Sequence, residues 1–152
     1  MPKDDSRFME AAADILSSSE MQKSKSHVQH GRVSVYSHSV AVAKYSVAFA
    51  RKMRIKVDYR SLVRGALLHD FFLYDWHDDW DKLHGFKHPR IALENAKKLF
   101  DLNKKEREII RKHMWPMTFI NIPRCREAWL VCIIDKYCSM LETLKISSYN
   151  DL

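Results

Sequence analysis

The sequence predicts an all-α protein: a compact helical bundle of about six helices forming one domain over residues 1–152. Three observations carry this. Apolar residues recur at helical spacing in six separate segments, several of them opened by good capping residues. The chain has only 3 Gly and 4 Pro, few for an all-β protein with its many turns. The one short β-like run, "FINI" at residues 119–122, stands too isolated to pair.

The first helix is expected over about Asp5 to Leu16, with Phe8, Ala12 and Ile15 on one stripe. It should pack on a core formed by residues 34–144. Ser17 to Arg32 is polar and weakly patterned and reads as a loop. Ser34 is a good N-cap for a long helix, Val35 to Met53, whose Ala and Val content predicts burial. Asp58 caps the next, which runs to about Phe72. Leu73 to Lys87, rich in Asp, Trp and His and broken by Gly85, reads as a second loop. Pro89 suits the first turn of a helix ending near Phe100. Asn103 and Glu106 form a capping-box pattern for a helix to about Met114. After the Pro-punctuated "WPMTFINIPR", Pro123 or Arg124 opens a last long helix to about Leu144.

Hydrophobic residues make up 46% of the chain, enough for a real core in 152 residues. No apolar run reaches the 18 residues of a membrane span. The acidic N-terminus lacks the basic and apolar regions of a secretory leader. The expected location is therefore the cytoplasm, with no membrane partner. Cys125, Cys132 and Cys138 are an odd set without CxxC spacing, expected to be reduced, and Cys132 and Cys138 fall among apolar residues as core filler. The net charge of +7 favours anionic partners without choosing among them. Nucleic acid is disfavoured: the basic residues are scattered, with no aromatic–basic interleaving.

Several titratable residues fall on the apolar side of these helices. His38 lies three after Val35 and four before Val42. Asp70 follows Ala66 by four and Val63 by seven, and His69 follows Leu62 by seven. His113 follows Ile109 and Ile110, and Asp135 follows Val131 by four. His88 stands at the helix start marked by Pro89. Burying one such group needs a partner. Burying several imidazoles and two carboxylates together is most simply achieved by a divalent cation, for which both are ligands.

The ordered set His38, His69-Asp70, His88, His113, Asp135, with the surroundings "VYSHSVAVA", "RGALLHDFF" and "IIRKH", resembles the HD superfamily of metal-dependent phosphohydrolases over about Ser34 to Leu144. The resemblance implies an all-helical fold of the HD-domain type. It also implies hydrolysis of a small phosphoester, with a nucleotide the first candidate, by attack of a metal-activated water. One or two divalent ions are expected, Fe, Mn or similar, with Zn or Mg also compatible. By the same resemblance, His38, His69, Asp70 and Asp135 hold the first ion, and Asp70, His88 and His113 hold the second, with Asp70 bridging. The family's frequent "HDIGK" is replaced here by His69-Asp70-Phe71-Phe72-Leu73, so its lysine is missing, and the "GYP" signature is absent.

For general acid or base work the loop after Asp70 offers Asp75 first, then Asp78 and Asp79. Arg32, Lys87, Lys112 and Lys136 are the candidates for phosphate binding. Trp76, Trp80 and Phe86 form either a base-stacking cluster or an apolar lid, and His30 or His84 is expected at the cleft. The alternative to an enzyme is a non-catalytic module that binds metal or nucleotide. Di-iron oxygenase chemistry uses similar ligand sets and stays open, as does the oligomeric state.

Overall fold

The structure, a computed structural model, describes residues 2–73 and 84–145. Among these the elements run α1 (Pro2–Leu16), α2 (Ser19–Lys23), a 3-10 turn (Ser24–Ser26), β1 (Val28–His30), β2 (Val33–Ser34), α3 (Val35–Lys52), α4 (Tyr59–Leu68), α5 (His84–Leu99), α6 (Lys104–Lys112) and α7 (Arg126–Thr143). The all-α bundle is as expected, and none of these helices is long and apolar enough to cross a membrane.

Local chemistry sets the helix starts. Ser34 accepts a hydrogen bond from the Ser37 N–H at 3.1 Å, and Asp58 accepts one from the Ser61 N–H at 3.0 Å. The capping box at Asn103 and Glu106 is closed in both directions, at 2.9 and 3.0 Å. The Asn103 amide also donates to Ser61 Oγ at 2.8 Å, which fixes the start of α6 against α4.

α4 is the axis of the fold. Every residue from Ser61 to Leu68 is buried, and the helix packs against α1, α3, α5, α6 and α7. Gly65 lets α6 approach closely: a Cβ there would lie 2.5 Å from Ile109 Cδ1. Around it Ile15, Val42, Leu67, Ile110, Val131 and Cys138 form the core. One ion group lies in this apolar region. Arg64, 2% exposed, pairs with Asp14 of α1 at 2.6 Å and with Glu106 of α6 at 3.2 Å, so its charge is matched on both sides.

Four sequence expectations change. Ser17 to Arg32 is not a plain loop: it holds α2, the 3-10 turn and a two-stranded antiparallel hairpin. The strands are too short to show alternation. Gly31 at φ 59° makes the turn, and its backbone lies so near α7 that a Cβ would meet Glu142 O at 2.9 Å. α5 begins at His84, not near Pro89, which lies inside the helix. The proline forgoes one backbone hydrogen bond while the helix continues through it, and Gly85, expected as a breaker, is helical. α4 ends at Leu68 rather than Phe72. Leu73 adopts φ 63°, and Asn95 of α5 donates to the Phe71 and Phe72 carbonyls at 3.1 Å each. α7 begins at Arg126, after a connection whose Phe119 and Ile120 are largely exposed.

Candidate metal centre

The side chains singled out by spacing converge. α4 is buried from Ser61 to Leu68, so its C-terminal end carries His69 and Asp70 into the middle of the molecule, 0% and 2% exposed. α3 brings His38, α5 brings His88, the end of α6 brings His113 and α7 brings Asp135, all buried.

The two oxygens of Asp70 face different groups. Oδ2 lies 3.3 Å from His69 Nε2 and 3.6 Å from His38 Nε2. Asp135 Oδ1 completes that group, 3.0 Å from His38 Nε2 and 3.4 Å from His69 Nε2. Asp70 Oδ1 instead lies 3.1 Å from His88 Nε2 and 3.3 Å from His113 Nε2, and those two nitrogens are 2.8 Å apart. Within each group the donor atoms lie within 4.8 Å of one another.

The imidazoles are held so that Nε2 points inward. His69 Nδ1 lies 2.6 Å from the Ala66 carbonyl and His113 Nδ1 lies 2.8 Å from the Ile110 carbonyl. A carbonyl only accepts, so each Nδ1 carries a proton, and once the ring is neutral it is Nε2 that offers the lone pair. His38 Nδ1 lies 2.9 Å from both carboxylate oxygens of Glu142, itself fully buried on α7. A carboxylate behind an imidazole fixes its orientation and raises its basicity.

In this arrangement protons supply the positive charge. Burial alone would lower His38, but hydrogen bonds to Asp135 and Glu142 push it up to about 9. His69 is likewise raised against its burial by Asp70 and Asp135. Asp70 and Asp135 are held well below the usual carboxylate range, burial notwithstanding, by the imidazoles around them. Burial keeps His113 below its ordinary range. A divalent cation would displace such protons, because ligation needs neutral imidazole and ionised carboxylate.

Two observations test whether these residues suit a metal. His69 Nε2 and Asp70 Oδ1 are buried and make no aligned hydrogen bond, their nearest partners being opposite groups of the same cluster at 3.1–3.4 Å, although buried polar atoms are normally satisfied. The donor set, imidazole nitrogen with carboxylate oxygen, is one that first-row divalent cations take. The residues fit.

The other candidates are dispersed. Arg32 is exposed in the hairpin turn, Lys87 is exposed on α5, and Lys112 at the end of α6 lies 3.5 Å from Glu108. Lys136 donates its ammonium to the His113 carbonyl at 2.8 Å and to the Cys132 carbonyl at 3.2 Å, tying α7 to α6 behind the site. Cys132 and Cys138 are buried, as expected of core filler. Asp75, Trp76, Asp78, Asp79 and Trp80 lie outside the described residues; Phe86 is exposed at the start of α5. His30 is at the site, its ring 5.8 Å from that of His38 and edge-on.

Spacing missed two residues. Glu142 was legible in principle, since it lies seven after Asp135 and four after Cys138 on one helical stripe. Gln29 was not. It sits in a polar stretch without pattern, and only the hairpin brings its amide to Asp70 Oδ2, at 2.5 Å.

The family model described as "HD domain" matches residues 35–140, which include His38, both members of the His69-Asp70 pair, His88, His113 and Asp135. The chain belongs to the HD domain family. No curated protein and no solved structure matches it.

Proposed function

We propose that this protein is a metal-dependent phosphohydrolase acting on a nucleotide or another small phosphoester. The observation that carries the reading is the division of Asp70, one carboxylate oxygen facing each of two imidazole-lined donor groups. His38, His69, Asp70 and Asp135 would hold one ion, and Asp70, His88 and His113 a second. When bound, such ions lower the pKa of water toward neutrality and neutralise phosphoryl charge.

The chain's own residues do the rest. Asp70 fixes the distance between the two groups. Glu142 holds His38, and the carbonyls of Ala66 and Ile110 hold His69 and His113, so the donors are set before substrate arrives. The reaction is hydrolysis of a phosphoester: water adds at phosphorus, and the ester oxygen leaves with a proton. Asp75, following the His-Asp pair, is the proposed proton carrier. Arg32, Lys87 and Lys112 are the cations proposed to meet the phosphate.

The test combines metal analysis of the purified protein with a panel of nucleoside mono-, di- and polyphosphates and cyclic nucleotides, each with Mn²⁺, Fe²⁺ and Mg²⁺. Turnover of at least one substrate, abolished by chelator and restored by metal, is expected. Inertness of the whole panel would transfer the reading to a module that binds metal or nucleotide without turnover. One feature favours that second reading: buried Phe72 and half-buried Leu73 stand where the "HDIGK" of many relatives has its glycine and lysine.

A further inference from the structure

Resting on the metal reading, the geometry points to Gln29 as an additional oxygen donor to the ion held by His38, His69, Asp70 and Asp135. The side chain reaches the centre from the hairpin, not from the bundle. Its strand pairs irregularly: Val28 faces Ser34 and His30 faces Val33, and the register shifts between them, at Gln29. A bulge of this kind re-aims a side chain. Gln29 is accordingly the buried residue of β1, 6% exposed between exposed Val28 and half-buried His30. The hairpin is itself seated on α7 at Glu142, the residue that braces His38.

The two ends of the amide have different environments. Nε2 donates to Asp70 Oδ2 at 2.5 Å, the oxygen that faces His38 and His69. Oε1, separated from Nε2 only by the amide carbon, is buried with no hydrogen-bond partner. A buried acceptor left unpaired is costly, and the site beside it is one the donor set assigns to a cation. Carboxamide oxygen is a ligand for hard divalent ions. The last torsion of a glutamine is broad and roughly two-fold. A half-turn therefore exchanges oxygen and nitrogen without moving the hairpin. Without an ion, the N–H end supplies the donor that Asp70 needs. With one, the oxygen end meets the positive charge. A residue serving Asp70 alone would use only the N–H.

The experiment is Mn²⁺ titration by calorimetry of chelator-stripped protein, with Co²⁺ absorption spectra of the same samples. It compares wild type, Gln29→Met and Gln29→Glu, all checked for cooperative unfolding. Gln29→Met keeps length and removes the oxygen. It should weaken Mn²⁺ at this site about 10-fold or more and change the intensity of the Co²⁺ bands, while Gln29→Glu recovers or exceeds wild-type affinity. Unchanged Mn²⁺ affinity in Gln29→Met would overturn the assignment. So would weaker affinity with an unaltered Co²⁺ spectrum, which would make Gln29 a support for Asp70 only. If Gln29→Met fails to unfold cooperatively, Gln29→Glu decides, since a carboxylate that lowers Mn²⁺ affinity is incompatible with an oxygen donor. Failure of the underlying metal reading has a separate signature: the wild type itself would bind no Mn²⁺.

Discussion

Asp70→Asn should remove both donor groups at once, whereas neighbouring substitutions should remove one. Asp70 is the residue common to the two groups found among the described residues. The substitution keeps the size of a side chain that is 2% exposed, and it takes away the charge that four imidazole nitrogens approach within 3.6 Å. One preorganised electrostatic group is worth about 10²–10³ in rate, or about 2.7–4 kcal/mol. Asp70 serves two groups, so turnover should fall about 10³-fold or more. Binding should show the same asymmetry. Asp135→Asn should spare the ion at His88 and His113, His88→Ala should spare the ion at His38 and His69, and Asp70→Asn should spare neither. A third readout is thermal: metal at 100 times its Kd stabilises the wild type by about 2.7 kcal/mol, roughly 5–10 °C in a chain of this size, and this shift should vanish in Asp70→Asn. Calorimetric stoichiometry, turnover and thermal scans with Mn²⁺ measure the three effects. Wild-type stoichiometry or turnover in Asp70→Asn would refute the reasoning.

Glu142→Gln replaces the carboxylate behind His38 and should weaken metal binding about 10- to 100-fold, measured by Mn²⁺ titration, with the fold intact by circular dichroism. Glu106→Ala strands the buried Arg64 beside the half-exposed Asp14 and opens the α6 capping box; a loss of about 3–5 kcal/mol is expected in urea unfolding. Glu127 gives the pH dependence. Burial pushes it up, but the Asp58 N–H at 2.6 Å, backbone hydrogen bonding at its own position and Lys105 at 3.0 Å hold it below the ordinary glutamate value of 4.5. Its contribution is complete above that unfolded value and is lost as pH falls through the folded one. Glu127→Gln should therefore flatten stability against pH in that acid range, leaving the neutral-pH dependence unchanged, as read by unfolding at a series of pH values.

The sequence by itself determined the helices and most of the candidate donors, because both are written in short-range spacing. Ser34, Asp58 and Asn103 mark helix starts by chemistry that reaches only three residues ahead. His38, Asp70, His113 and Asp135 are legible since a helix places residues three and four apart on one face, and a titratable group on an apolar face requires a partner. Tertiary structure alone decided what those faces meet. The opposed roles of Asp70 Oδ1 and Oδ2 depend on five elements arriving together, which no local pattern encodes. Pro89 and Gly85 were misleading for the same reason: local propensity is worth a few kcal/mol at most, less than packing along a whole helix supplies. The hairpin was the least legible part. Its strands, Val28–His30 and Val33–Ser34, are too short for alternation, and its position is set by Gly31 meeting α7 more than a hundred residues away. Gln29, which has no periodic signal of its own, enters the site only through that long-range contact.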